Sequence, residues 1–218
     1  MKCQLVAFDC DGVLVDSEPL VNRVFAEVVA RGGPVLDVEA SLVRFTGVSM
    51  AERIAAVRDE YGWTPPRTFE RDFDELQRKA LQSGLHAVPG VIAAVRTVRT
   101  ARAVVSNGTL AEMTLKLTTV GLLDAFAPNL FSAAEVARSK PHPDVYLKAI
   151  ATLGVTAKEA IAVEDSVPGA TAALAAGLTV FGYAGKSRDD ALARLGARVF
   201  HDMTDLPRLL RSAGVDIV

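Results

Sequence analysis

Leu5-Val6-Ala7-Phe8-Asp9-Cys10-Asp11-Gly12 is the stretch that decides the fold: four apolar residues in succession, then an abrupt acidic turn. The pattern recurs along the chain. Ala103-Val104-Val105 runs into Ser106-Asn107-Gly108, Ala160-Ile161-Ala162-Val163 into Glu164-Asp165, and Leu178-Thr179-Val180-Phe181 into Gly182. Apolar runs without polar alternation belong to strands buried on both faces. Helical segments separate them. Thr109-Leu110-Ala111-Glu112 is a capping box ahead of Met113, Leu117 and Val120. Pro143 to Leu153 reads as a helix stopped by Gly154, and Ser166 opens another, with Pro168 near its first turn and Gly177 beyond its end. Strands alternating with helices predict an α/β fold, a mainly parallel sheet covered by helices on both faces. In such sheets ligands bind beyond the carboxyl ends of the strands. That rule gathers Asp9, Asp11, Ser106, Asn107, Glu164 and Asp165 at one mouth.

Residues 16–86 break this rhythm. Leu20, Val24, Phe25, Val28 and Val29 form a helical stripe that stops before Gly32-Gly33-Pro34. Ser49-Met50-Ala51-Glu52 is a second capping box, and Phe69, Phe73, Leu76 and Ala80 share one helix face, with Gly84 as the expected stop. The expected organisation is a core of residues 1–15 and 87–218 carrying an all-helical insert of residues 16–86, with hinges near Asp16 and Val88-Pro89-Gly90.

The composition narrows the function. The 218 residues are 50% hydrophobic, enough for a sizeable core, and 24 Lys+Arg against 26 Asp+Glu give a net charge of −2. No basic surplus points to nucleic acid. Two cysteines, Cys3 and Cys10, share one short apolar segment, which argues against a disulfide framework and for a reducing, cytoplasmic setting. Asp9 and Asp11 interrupt the first apolar stretch too early for a signal peptide. Ser166–Gly185 is free of charge over a length that could cross a bilayer, but Pro168 and four glycines favour a short helix, a stop and a strand. No membrane partner is expected, and the chain is expected to be a monomer or weak homodimer.

Four carboxylates crowded at one mouth need compensation: two like charges ~4 Å apart repel by about 4 kcal/mol at an effective dielectric near 20. Oxygen ligands suit Mg²⁺, which also binds substrate phosphate; thiolate and imidazole are too scarce here for zinc. A carboxylate can attack phosphorus, and a second one two residues on can move the proton. Ser106 and the Asn107-Gly108 backbone, just before a helix, can hold phosphate oxygens, and Lys140 can offset their charge. Each motif alone is also an ordinary turn, helix cap or surface charge; their convergence carries the reading. Cys10 should point away from Asp9 and Asp11 as a packed thiol. Gly182 to Ser187 ends like a phosphate-binding loop, but Val180 stands where that motif needs glycine, so Lys186 is expected at the surface.

At these residues the chain resembles a known family. Phe8-Asp9-Cys10-Asp11-Gly12-Val13-Leu14-Val15-Asp16-Ser17 is similar to the first motif of the haloacid dehalogenase-like hydrolases, and Val104 to Gly108 resembles their second. Lys140 before Pro141-His142-Pro143-Asp144 resembles the third, and Val163 to Ala170 the fourth. The order of motifs and the insert after the first match the subfamily of sugar-phosphate phosphatases and beta-phosphoglucomutase. The resemblance implies a Rossmann-like core with a helical cap that closes over the site. It implies Asp9 as nucleophile and Asp11 as general acid/base. Asp9, the Asp11 backbone carbonyl, Asp165 and Glu164 would hold Mg²⁺, and Ser106 and Lys140 would bind the phosphoryl group.

The implied activity is hydrolysis of a small phosphorylated metabolite, a sugar or sugar-acid phosphate such as 6-phosphogluconate. The mutase alternative needs a His, a Lys and an Arg from the cap, where this chain has Val21, Thr46 and Met50. A dehalogenase would need neither the Asp11 proton donor nor a metal. A catalytically silent binding module is a further alternative, against which the complete set of motifs argues. Arg44, Thr46 and Gly47 lie in the stretch resembling the specificity loop, where Arg44 could meet a distal anion.

Overall fold

The computed structural model describes residues 2–45, 48–185 and 190–218. Thr46 and Gly47 of the expected specificity stretch, and Lys186, lie outside these. The chain divides into two compact units, residues 16–85 and the remainder.

In the larger unit the apolar runs become strands: β1 (Leu5–Phe8), the two-residue β2 (Val15–Asp16) and β3 (His86–Ala87) where the chain leaves and returns, β4 (Ala101–Ser106), β5 (Leu130–Ser132), β6 (Ala160–Glu164), β7 (Thr179–Tyr183) and β8 (Arg198–Phe200). Six of them form one sheet in the order β5-β4-β1-β6-β7-β8, every adjacent pair parallel. All four residues of β1 are fully buried, as their unbroken apolar run requires at the centre of a sheet covered on both faces. The two neighbours of β1 belong to opposite directions of winding. β1 is therefore the switch point, where connections diverge and leave a crevice at the carboxyl end. Both registers align Phe8 with Val104 and Val163, so Asp9, Ser106 and Glu164 emerge at nearly the same level.

The capping signals place the helices. Thr109 accepts from the Glu112 N–H, and Glu112 reaches back to the Thr109 N–H, opening Leu110–Thr119. Ser166 accepts from the Gly169 N–H at 3.1 Å and opens Val167–Ala175, with left-handed Gly177 two residues past its end. Asp144–Leu153 stops at left-handed Gly154. The charge-free stretch is thus a helix followed by β7, and no helix among the described residues is long and apolar enough to cross a membrane. One core cluster joins Leu5, Ala7, Val105, Ala162 and Val180 of the sheet to Val145, Tyr146 and Ala173 of these helices. Cys10 is a fully buried free thiol, as expected for packing.

The smaller unit contains the helices Glu18–Ala30, Val38–Phe45, Met50–Tyr61 and Phe69–Gly84. Its core gathers Val24, Phe25, Val28, Val29, Phe69 and Phe73, the stripes legible in the sequence, with Trp63 and Phe45. The Ser49–Glu52 capping box forms. Gly84 is the last helical residue of its helix rather than a left-handed stop, because the chain turns directly to extended Leu85. The buried Arg53 guanidinium donates to Val48 O at 2.8 Å, Asn22 Oδ1 at 3.1 Å and Glu18 Oε2 at 3.2 Å, which satisfies a charge inside this small core.

Candidate active site

Everything at the mouth of the sheet turns on one ammonium group. Lys140 is 7% exposed, and its Nζ donates to Asp9 Oδ1 at 2.5 Å, Glu164 Oε1 at 2.6 Å and Val105 O at 2.8 Å. A lysine has three donors, and all three are spent here. Its backbone N–H donates to Asn107 Oδ1 at 3.0 Å, which ties the loop carrying Lys140 to the end of β4. The Tyr146 hydroxyl donates to the same Glu164 oxygen at 2.6 Å. Ser106 is buried, and its hydroxyl accepts from the Gly108 N–H at 3.0 Å, so its own hydrogen remains to donate to a ligand.

Asp9, Glu164 and Asp165 each offer an oxygen within 4.8 Å of the others. Three carboxylates facing one ammonium leave the site short of positive charge. Burial pushes the Asp9 carboxyl up from 3.8 to about 7; Lys140 works against that rise and Glu164 adds to it. Burial also holds Asp165 well above the usual range, reinforced by the charges of Asp9 and Glu164. For Lys140 burial acts to lower the pKa, but Asp9 and Glu164 outweigh it and the net shift is strongly upward.

These residues fit a hard divalent cation: the donors are all oxygen, and burial with neighbouring negative charge raises the pKa of Asp9 and Asp165, a shift that a cation would oppose. The bare backbone beside them is part of the fit. A Cβ on Gly12, whose φ is +80°, would stand 1.8 Å from Asp165 Oδ2, and one on Gly169 would stand 2.0 Å from Glu164 Oε2.

The raised Asp9 pKa has a consequence for stability. The folded state binds the proton more tightly than the unfolded state, so stability present below about 3.8 is lost as pH rises through about 7. Metal-free protein should therefore melt at a lower temperature near pH ~8 than near pH ~5, and Asp9→Asn should flatten that slope. Thermal melts in chelator read this directly; a melting temperature that climbs over the same interval would contradict it.

Other sequence-selected residues have partners within their own unit. Arg44 pairs with Glu60 and lies over the Phe45 ring, 5.1 Å from its centroid, within the helical unit. Val21 and Met50 pack against the apolar cluster of that unit. His201 Nδ1 lies 3.0 Å from Gly185 O, a partner the sequence does not reveal. Two residues that the sequence pattern does not single out touch the carboxylates: Tyr146 on Glu164, and Lys116, which reaches Asp11. Both interrupt apolar helix faces with a polar tip, the one signal available beforehand.

Comparison with known proteins agrees with this architecture. Residues 3–177 match the family model of the haloacid dehalogenase-like hydrolases. The chain is 31% identical over 217 residues to 6-phosphogluconate phosphatase of Escherichia coli, covering 99% of this chain and 98% of that one. It is 33% identical over 186 residues to hexitol phosphatase A of the same organism, covering 83% and 82%. A family hydrolase from Deinococcus radiodurans, solved with bound phosphate and sodium, superimposes with a TM-score of 0.82 at 33% identity, covering 97% of this chain and 96% of that one. A parallel sheet with its acidic mouth at the switch strand, matched by that model over most of its length, makes this chain a member of the haloacid dehalogenase-like hydrolase family. It is an enzyme, a hydrolase of that family.

Proposed function

We propose that this chain is a Mg²⁺-dependent phosphatase that hydrolyses a small phosphorylated metabolite, a sugar or sugar-acid phosphate such as 6-phosphogluconate, through an aspartyl phosphate on Asp9. The observation that carries the reading is the Lys140 ammonium bridging Asp9 and Glu164. It is a fixed positive charge placed where a phosphoryl group would meet its nucleophile. The two Escherichia coli relatives, named 6-phosphogluconate phosphatase and hexitol phosphatase A, support the substrate class.

In this account an Asp9 oxygen attacks phosphorus, and the bond from phosphorus to the substrate oxygen breaks as the Asp9 bond forms. Asp11 gives a proton to the departing oxygen. Water then attacks the same phosphorus, Asp11 takes its proton, and the Asp9–phosphorus bond breaks to release phosphate. The Ser106 hydroxyl, itself held by the Gly108 N–H, and the Asn107 N–H hold phosphoryl oxygens at the start of a helix. Mg²⁺ held by Asp9, Asp165, Glu164 and the Asp11 carbonyl would neutralise developing charge on those oxygens. The packing of Val21 and Met50 into an apolar cluster favours hydrolysis over the mutase, which uses polar cap residues at those positions. Selectivity is assigned to the helical unit, through the stretch around Arg44, Thr46 and Gly47.

A screen of phosphorylated metabolites with purified protein, in Mg²⁺ and in chelator, tests this. Phosphate release from one or more sugar or sugar-acid phosphates should occur only with the cation and return when it is restored. Full activity in chelator would eliminate the metal mechanism; no hydrolysis of any monoester would eliminate the phosphatase.

A further inference from the structure

Lys116 is a buried lysine that the proposed chemistry leaves without a role. It lies two turns into the helix Leu110–Thr119, whose register is fixed by the Thr109–Glu112 capping box. Met113 and Leu117, one turn before it and beside it, are buried, so it occupies a face that an aliphatic residue would fill. Instead the residue is a lysine, 6% exposed, whose ammonium donates to both carboxylate oxygens of Asp11, at 2.7 Å and 2.9 Å. Burying an ammonium is costly unless it is paired. A chain that wanted only packing here would carry leucine.

The arrangement constrains Asp11 in a specific way. Asp11 lies on the turn after β1, and an aspartate side chain can take any of several staggered rotamers unless a partner selects one. A cation that engages both oxygens selects one of them and sets the plane of the carboxylate. Lys140 holds Asp9 through Oδ1 alone, so each acidic residue of the turn has its own lysine, from a different segment, and Asp11 is the one gripped through both oxygens.

We infer that Lys116 is a positioning residue for the general acid/base: it aims the Asp11 carboxylate at the oxygen that leaves and the water that attacks. This rests on the assignment of Asp11 as acid/base in the proposed function. The expected loss on removing Lys116 is roughly 10- to 100-fold, because small misplacement of a proton-transfer group costs about that much.

The test compares two phosphomonoesters in Mg²⁺. p-Nitrophenyl phosphate has a leaving group that departs without much protonation, whereas an alkyl ester such as 6-phosphogluconate needs the proton. Lys116→Met should lower kcat/KM on the alkyl ester roughly 10- to 100-fold and on the aryl ester several-fold less. Asp11→Asn should show the same selective loss, and adding Lys116→Met to it should cost nothing further. Lys116→Gln keeps a donor at similar reach and serves if the Met variant melts early. Equal losses on both esters, no loss on either, or losses that multiply with Asp11→Asn would overturn the positioning role. An Asp11→Asn variant that hydrolyses both esters as well as wild type would instead remove the acid/base reading beneath it.

Discussion

Asp9→Asn should lower phosphate release by ~10⁴-fold or more while the protein stays folded. The carboxamide is the same size, and its oxygen can still accept from Lys140 Nζ, which sits 2.5 Å from Asp9 Oδ1. It cannot donate an electron pair to phosphorus as a carboxylate does. The substitution also removes one of three clustered negative charges, so the metal-free melting temperature should hold or rise. Malachite-green phosphate release and a thermal melt, run on the same preparation, separate the two effects. Undiminished turnover would refute the nucleophile; a collapse of the fold would refute the electrostatic account of the site.

Lys140→Met should be nearly as damaging, and through both stability and rate. Breaking a buried ion pair by removing one partner costs about 3–5 kcal/mol, because the remaining charge is left uncompensated. Here Asp9 and Glu164 would both lose their cation, Glu164 with no exposed surface at all. Turnover should fall roughly 10²- to 10³-fold through loss of a preorganised charge. Lys140→Arg should not restore it: a planar guanidinium cannot direct three donors at Asp9 Oδ1, Glu164 Oε1 and Val105 O as a point-like ammonium does. Mg²⁺ should recover part of the lost stability in the Met variant, since it supplies positive charge to the same oxygens. Wild-type kinetics in either variant would remove Lys140 from the chemistry.

The central strands were legible because burial on both faces forces an unbroken apolar run, and β1, β4, β6 and β7 all carry one. The edge strands were not. β5 has only three residues and follows Pro128-Asn129, and β8 begins on exposed Arg198; neither has a run long enough to stand out. The capping boxes at Thr109 and Ser49 gave helix starts to the residue, because reciprocal side-chain bonds leave a four-residue signature. The helix Val38–Phe45 offered no such mark. At the site, Asp9, Ser106 and Glu164 could be gathered from the parallel-sheet rule alone, since each directly follows or ends an apolar run. Lys116 and Tyr146 could not. Their importance arises from contacts 105 residues away to Asp11 and 18 away to Glu164, and no local period encodes those.

The central claim is that Asp9 itself carries the phosphoryl group between substrate and water. Acid-quenched single turnovers with Mg²⁺ and a hydrolysed sugar phosphate, followed by peptide mass spectrometry, read this step by step. The account predicts a transient, base-labile phosphate on the peptide containing Asp9, absent in Asp9→Asn and longer-lived in Asp11→Asn. Phosphate found on Ser106 or any other residue, or turnover of p-nitrophenyl phosphate by Asp11→Asn with no phosphoenzyme at any quench time, would contradict it.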